Sequence, residues 1–304
     1  MKQKSVIQIG IPILGICLFL CFPLQTRDGV QAGLALCGGI LIPSLFPVSV
    51  LASCLIRMQA GTCGGSRTER WMRALFGLPG SAALPLLLGI LGGFPLGAQL
   101  TASAYESGQL SKQEAARLAG LSNNAGPAFL LGAVSVMLGS LSRGAILMGI
   151  QLASSLLAGC LLRESAHCPV HTKKVQKNQP ASIAALLPQC ITESAVAMLR
   201  LTGAICFFHA TTACVIPLLP VSNLPTLWQA GLSGVLELTG GLSLLRGTVS
   251  PALLPLTAAL ISWGGLCVHL QSFQALAKAE IPMGPYLRHK TLQAGIALLL
   301  AFFL

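Results

Sequence analysis

The stretch SAALPLLLGILGGFPLGAQLTASAY, running from Ser81 to Tyr105, decides how the rest of the chain is read. It holds no Asp, Glu, Lys or Arg, and as one helix rising about 1.5 Å per residue it is long enough to cross a bilayer. Its centre opposes that. Gly92, Gly93, Phe94, Pro95, Leu96 and Gly97 crowd glycine and proline together, and inside a helix these cost about 1 and about 3 kcal/mol each relative to alanine. A helical hairpin or a broken helix is therefore expected. Unwound backbone at membrane depth persists only where protein or water satisfies its amides and carbonyls. Gly93, with exposed backbone dipoles, and Gln99, which both donates and accepts hydrogen bonds, are thus candidate contacts for a polar solute. A tight packing turn accounts for the same glycines without any ligand.

Working outward, the whole composition agrees with a membrane setting. Hydrophobic residues make up 54% and charged residues 9% of 304, with a mean hydropathy of +0.77. An average soluble domain carries roughly 25% charged residues. The expected fold is all-α, a polytopic membrane protein of about 6–8 spanning helices plus two Gly-broken hairpin segments in two related halves. Residues 1–28 form an N-terminal transmembrane helix. Val6 to Pro23 follows Lys2 and Lys4 like a signal peptide, but no small-x-small cleavage site follows, so the span is retained. Residues 29–162 form the first repeat, 163–185 a basic cytoplasmic linker with Lys173, Lys174 and Lys177, and 186–304 a second, shorter repeat with a last span from about 290.

The first repeat opens with an apolar stretch from Gly29 to Met58, where Pro43 and Pro47 predict a kink. Arg67, Glu69, Arg70 and Arg73 then alternate with Trp71, Met72, Leu75 and Phe76, a pattern suited to a helix lying along the membrane surface. Ser111 and Glu114 have capping-box spacing. Beyond them Asn123, Asn124, Ala125, Gly126 and Pro127 place two amides at the mouth of a span; both are candidate solute contacts, although such a run is also an ordinary solvated turn. In the second repeat Glu237, Thr239, Gly264, His269 and Gln271 are the remaining candidates. A carboxylate within an apolar segment is costly and so points to function; an interfacial, hydrated Glu237 is the plainer alternative. His209 reads as a contact to a neighbouring helix. Glu193 and Arg200 read as interfacial.

Sliding the halves by 170 positions brings Pro47 onto Pro217 and Leu84-Pro85-Leu86 onto Leu254-Pro255-Leu256. The Gly93 break then falls beside the Gly264 break. Paired interruptions of this kind are the sequence pointer to a transporter site.

Basic residues near span ends set orientation. With 81–105 as a hairpin, Lys2, Lys4, Arg57, Arg67, Arg70, Arg73, Lys112, Arg117, Arg163, Lys173, Lys174, Lys177 and Arg200 share the cytoplasmic side, 13 of the 19. In the second half, repeat logic makes 226–246 an external surface helix and 252–273 an external hairpin. Charge prefers 226–246 as a span that brings Lys278, Arg288 and Lys290 inside.

The net charge of +11 is spread over connections, so no nucleic-acid partner is implied. Most of the 11 cysteines lie in apolar runs as small hydrophobes. His167, Cys168 and His171 sit too close together for a dedicated metal site. No cofactor is called for, and no HExxH, GxSxG or paired aspartates point to an enzyme. The partners expected are the bilayer, a small polar solute and, as an open option, a second copy of the chain.

Five blocks together carry a resemblance: Ile42-Pro43-Ser44-Leu45-Phe46-Pro47, Gly92 to Gln99, Asn123 to Pro127, Glu237-Leu238-Thr239-Gly240-Gly241, and Gly264-Gly265 with His269 and Gln271. In that order the chain resembles the YlbJ-like sporulation integral membrane proteins, which carry the nucleoside-recognition Gate domain. The resemblance implies a multi-pass plasma-membrane protein with an architecture like that of concentrative nucleoside transporters, two hairpins meeting near the midplane. It implies a role in sporulation, as a permease-like protein for a small solute, nucleoside-like by resemblance only. A non-transporting scaffold for spore formation is the competing expectation.

Overall fold

The computed structural model describes residues 2–59, 65–164, 182–219, 224–246 and 253–304. The possible metal loop at His167 to His171 and the three linker lysines lie outside the described residues. Every regular element among those described is helical. Among the described residues four helices are long and apolar enough to cross a membrane: Pro23–Leu51, Leu141–Leu161, Ile183–Leu218 and Leu253–Lys278. A bent pair, Ser66–Phe76 with Gly80–Gly92, makes a fifth candidate if taken as one span.

Helix α1 (Lys2–Cys21) leads into α2 (Pro23–Leu36), which continues through a π segment, Cys37–Leu41, into α3 (Ile42–Gln59). The π register sits immediately before Pro43, and the Ile42 amide reaches back to the Cys37 carbonyl. A local widening, known to bend helices, thus accompanies the prolines. Helix α4 (Ser66–Phe76) buries Met72 and Phe76 and exposes Trp71 and Leu75. It meets the following helix at 87°.

The first interruption is a hairpin. Helix α5 (Ala83–Gly92) stops at Gly93, whose φ of 77° is left-handed backbone, and α6 (Leu96–Glu106) resumes after a cis Phe94–Pro95 bond. Helix α7 (Lys112–Ser122) starts on the expected capping box: the Glu114 amide donates to Ser111 Oγ at 3.3 Å and the Ser111 amide to Glu114 Oε2 at 2.8 Å. The chain then unwinds through 123–126, and Pro127 caps a π segment, Ala128–Val134, that runs into α8 (Ser135–Leu138). Helix α9 (Leu141–Leu161) closes the first half.

The second half departs from expectation in three places. After the long α10 (Ile183–Val215), residues 226–244 are neither a surface helix nor a span. They fold into a second hairpin, α11 (Thr226–Leu236) and α12 (Leu238–Leu244), with Glu237 at its tip. Its arms are nearly touching: a Cβ on Gly241 would lie 2.4 Å from Gly234 Cα. The Gly264 region, expected as a hairpin, is instead a break inside one rod, α13 (Leu253–Trp263) and α14 (Gly265–Lys278), bent too little to fold back. Here Gly264 takes φ 98°, a conformation costly for any residue with a Cβ. The last helix, α15 (Met283–Phe302), begins before residue 290 and carries Lys290 well inside it.

Around this assembly large apolar side chains face outward, among them Leu14, Leu20, Leu199, Phe207, Leu298 and Phe302. In water such a surface would aggregate; against lipid it is the expected one. The core runs through the interruptions: Ala125, Leu130, Leu238, Leu242, Ile261 and Cys267 belong to one buried cluster.

Candidate functional site

The tips of both hairpins and the outer face of α14 enclose a cavity of about 450 Å³. Each wall follows from a local interruption. Gly93, Phe94 and Pro95 form the first tip and Gln99 stands one turn into α6; Glu237, Leu238 and Thr239 form the second tip; Gln271 and Gln274 project from α14. The fourth wall is α10, from Thr192 to Ile205, and it brings Glu193 and Arg200 to the rim.

Five of the nine candidates from sequence therefore share one cavity: Gly93, Gln99, Glu237, Thr239 and Gln271. The amides of Gln99 and Gln271 are largely uncommitted. Among the described residues Gln99 has no side-chain hydrogen bond, and Gln271 only a weak one from Nε2 to Cys267 Sγ at 3.4 Å. Glu237 is buried and firmly held. Its carboxylate caps α12, accepting from the Thr239 amide at 2.9 Å, Thr239 Oγ1 at 2.6 Å and the Gly240 amide at 2.6 Å. His209 Nε2 lies 3.0 Å from Glu237 Oε2 but out of line for a hydrogen bond. The histidine is therefore an additional partner that can leave without uncapping the helix.

Glu237 borders a second cavity as well. This one, of about 460 Å³, is lined by Asp28, Gly29, Gln229, Gly240 and residues between His209 and Pro217 at the end of α10 and just beyond it. The two cavities follow one another along α10 and the turn after it, the first lined from 192–205 and the second from 209–217, and Glu237 lines both.

The other four candidates lie behind the first cavity. Gly264 touches the first tip, since a Cβ there would be 3.3 Å from Phe94 Cζ. The two interruptions read from sequence thus do meet, across the Phe94 ring. His269 is buried, its Nδ1 3.0 Å from Tyr286 Oη and its ring edge-on to Trp263. Asn123 and Asn124 are wholly buried. Asn123 Nδ2 donates to Ser272 Oγ at 2.7 Å and Tyr286 Oη at 3.2 Å, and its Oδ1 accepts from the Ala98 amide at 3.4 Å. Asn124 Oδ1 accepts from Lys290, Gln151 and Gln293 at 3.2, 3.2 and 2.9 Å. Ser262 Oγ extends the network by donating to Gln151 Oε1 at 2.8 Å. One asparagine pair thereby ties α6, α9, α13, α14 and α15 to the unwound segment.

Lys290, Gln293, Gln151 and Ser155 were not singled out from sequence. The available signal was spacing: Lys290 and Gln293 are three apart on α15, and Gln151 and Ser155 four apart on α9. Among the described residues no cluster of His, Cys, Asp or Glu is arranged to hold a metal.

No family model matches the chain, and no solved structure matches it significantly. Among curated proteins it is 26% identical over 314 aligned residues to the sporulation integral membrane protein YlbJ of Bacillus subtilis (strain 168), covering 90% of this chain and 76% of that one. Whole-chain similarity thus joins the ordered Gly, Pro and Asn interruptions and the outward-facing apolar surface, and the chain is similar to an integral membrane protein along nearly all of its length.

Proposed function

We propose that this chain is a multi-pass plasma-membrane protein of sporulation that passes a small polar solute along α10, through the two cavities that share Glu237. The sharing of that one carboxylate by both cavities carries the reading. The distribution of basic residues supports a reading with the first cavity toward the cytoplasm and the Asp28 end outside. In this arrangement Gln99 and Gln271 hold the solute with uncommitted amides, and Phe94 and Phe129 line the same cavity as aromatic partners. A nucleoside-like solute suits that combination of stacking and amide bonding. Parting of Glu237 from His209 lets the second hairpin tip move and joins the cavities, while the three capping bonds keep α12 intact. This follows the logic of transporters in which interrupted helices flank a central site, as in the concentrative nucleoside transporter architecture.

The test is a solute screen by thermal stabilisation of purified protein, nucleosides first, with uptake into proteoliposomes. Hits are expected for the wild type and at least about tenfold weaker binding for Gln99→Ala and Gln271→Ala, the loss of about 1.4 kcal/mol. If the wild type answers no solute and both variants still support spore formation, the scaffold reading replaces this one.

A further inference from the structure

Lys290 is completely buried, inside α15. A buried charge ordinarily faces an opposite one. Among the described residues Lys290 has no carboxylate within ion-pair distance. Its Nζ lies 3.0 Å from the Asn123 carbonyl oxygen, 3.2 Å from Asn124 Oδ1 and 2.7 Å from Gln293 Oε1. The Phe94 ring centroid is 5.5 Å away.

The oxygen ends of both amides are fixed by their other bonds. Asn124 Nδ2 donates to the Leu121 carbonyl at 2.7 Å and to Ser155 Oγ at 3.0 Å. Gln293 Nε2 donates to Asn124 Oδ1 and to the Gln151 carbonyl at 3.3 Å. Nζ therefore meets three acceptors. A neutral amine has two N–H groups and an ammonium has three, so the geometry calls for the ammonium.

The cage also has a particular origin. The Asn123 carbonyl belongs to the unwound segment after α7, where helix bonding ends. Unwound carbonyls at membrane depth are the groups with which broken helices coordinate small cations, and without a partner they are costly. A set of neutral oxygens, one backbone and two amide, is a monovalent-cation site in its chemistry.

We propose that the Lys290 ammonium is a tethered cation: it occupies from within the chain a monovalent-cation site formed by Asn123, Asn124 and Gln293, holding the first unwound segment in place without an ion from solution. The proposal is independent of any solute in the cavities. Truncating the side chain vacates the cage while leaving its oxygens. Free ammonium, or potassium of similar size, then takes the place of Nζ, and sodium does so less well. A methionine at this position fills the space and admits nothing.

The experiment compares purified wild type, Lys290→Ala and Lys290→Met by thermal unfolding in choline, sodium, potassium and ammonium chlorides at equal ionic strength. The wild type is expected to unfold at the same temperature in all four. Lys290→Ala is expected to unfold on the order of 5 °C lower in choline and to recover saturably with ammonium or potassium, whereas Lys290→Met stays low throughout. Equal salt response in Lys290→Ala and the wild type, or recovery of Lys290→Met to the same degree, overturns the proposal. If Lys290→Ala does not survive purification, gel filtration of a fluorescent-protein fusion decides. A monodisperse peak in ammonium and not in choline supports the tethered cation, and the same profile in both overturns it.

Discussion

Gln99 and Gln271 at the first cavity, and Asn124 and Gln293 in the buried network behind it, are the same chemical group in two opposite situations. The first pair faces a cavity with its amides almost free. The second pair is buried, and its members bond to each other, to Lys290 and to Gln151. A primary amide has fixed hydrogen-bonding capacity, so what it can offer a solute is whatever the fold has not already used. Polar residues at membrane depth thus divide into those that bind and those that hold, and residue type alone does not tell them apart.

The contrast is broken most severely at Asn124. Asn124→Ala takes one acceptor away from three buried donors at about 1–3 kcal/mol for each group left unpaired. Some of these re-pair, and a net loss of about 4 kcal/mol is expected in unfolding of the detergent-solubilised protein. A loss below about 1 kcal/mol means the network does not hold the interruption.

Gly241→Ala comes next. It forces a Cβ to within 2.4 Å of the facing Gly234 backbone and should cost about 3 kcal/mol, as overpacking does. It splays the second hairpin, so solute response should fall with stability.

At Glu237 the two situations meet, since the carboxylate both caps α12 and borders the cavities. Glu237→Gln cannot accept at both ends and should cost about 1–2 kcal/mol. A variant as stable as the wild type would show that the three capping bonds contribute little.

The smallest effect on stability is expected at Gln99→Ala and Gln271→Ala, within about 0.5 kcal/mol, as for exposed positions generally. Loss of solute response without loss of stability at these two sites sharpens the comparison; a cost like that of Asn124→Ala erases it.

How much of this could be read from the chain follows from where the determinants lie. The breaks at Gly93, at Asn123 to Pro127 and at Gly264 are local properties of glycine and proline in apolar runs, and the Ser111–Glu114 cap and the amphipathic helix at 66–76 are likewise set by nearby residues, so these were legible. The second hairpin was not. Sliding the halves by 170 positions matched Leu-Pro-Leu with Leu-Pro-Leu and so set the Gly93 tip against Gly264, whereas the element that folds like the Gly93 hairpin has Glu237 at its tip, carrying a capping carboxylate instead of a glycine. Leucine matches in a leucine-rich chain say little about register.

Lys290 was hidden differently. Beside Lys278 and Arg288 it looks like one more basic residue at a span end, and its burial depends on Asn123 and Asn124, more than 160 positions away. The nine candidates were collected in one neighbourhood by the logic of interrupted helices. Their division into five facing a cavity and four behind it depends on packing that no local pattern encodes.

The most direct test of the account is the water accessibility of the two amide pairs. In a version of the chain freed of its native cysteines, Gln99→Cys, Gln271→Cys and Gln293→Cys are exposed in membrane vesicles to a small charged thiol reagent. Rapid labelling at 99 and 271 with none at 293 is the result expected of a wet cavity in front of a dry, fully bonded network. Labelling at 293 as fast as at 271, or none at 99 and 271, contradicts it.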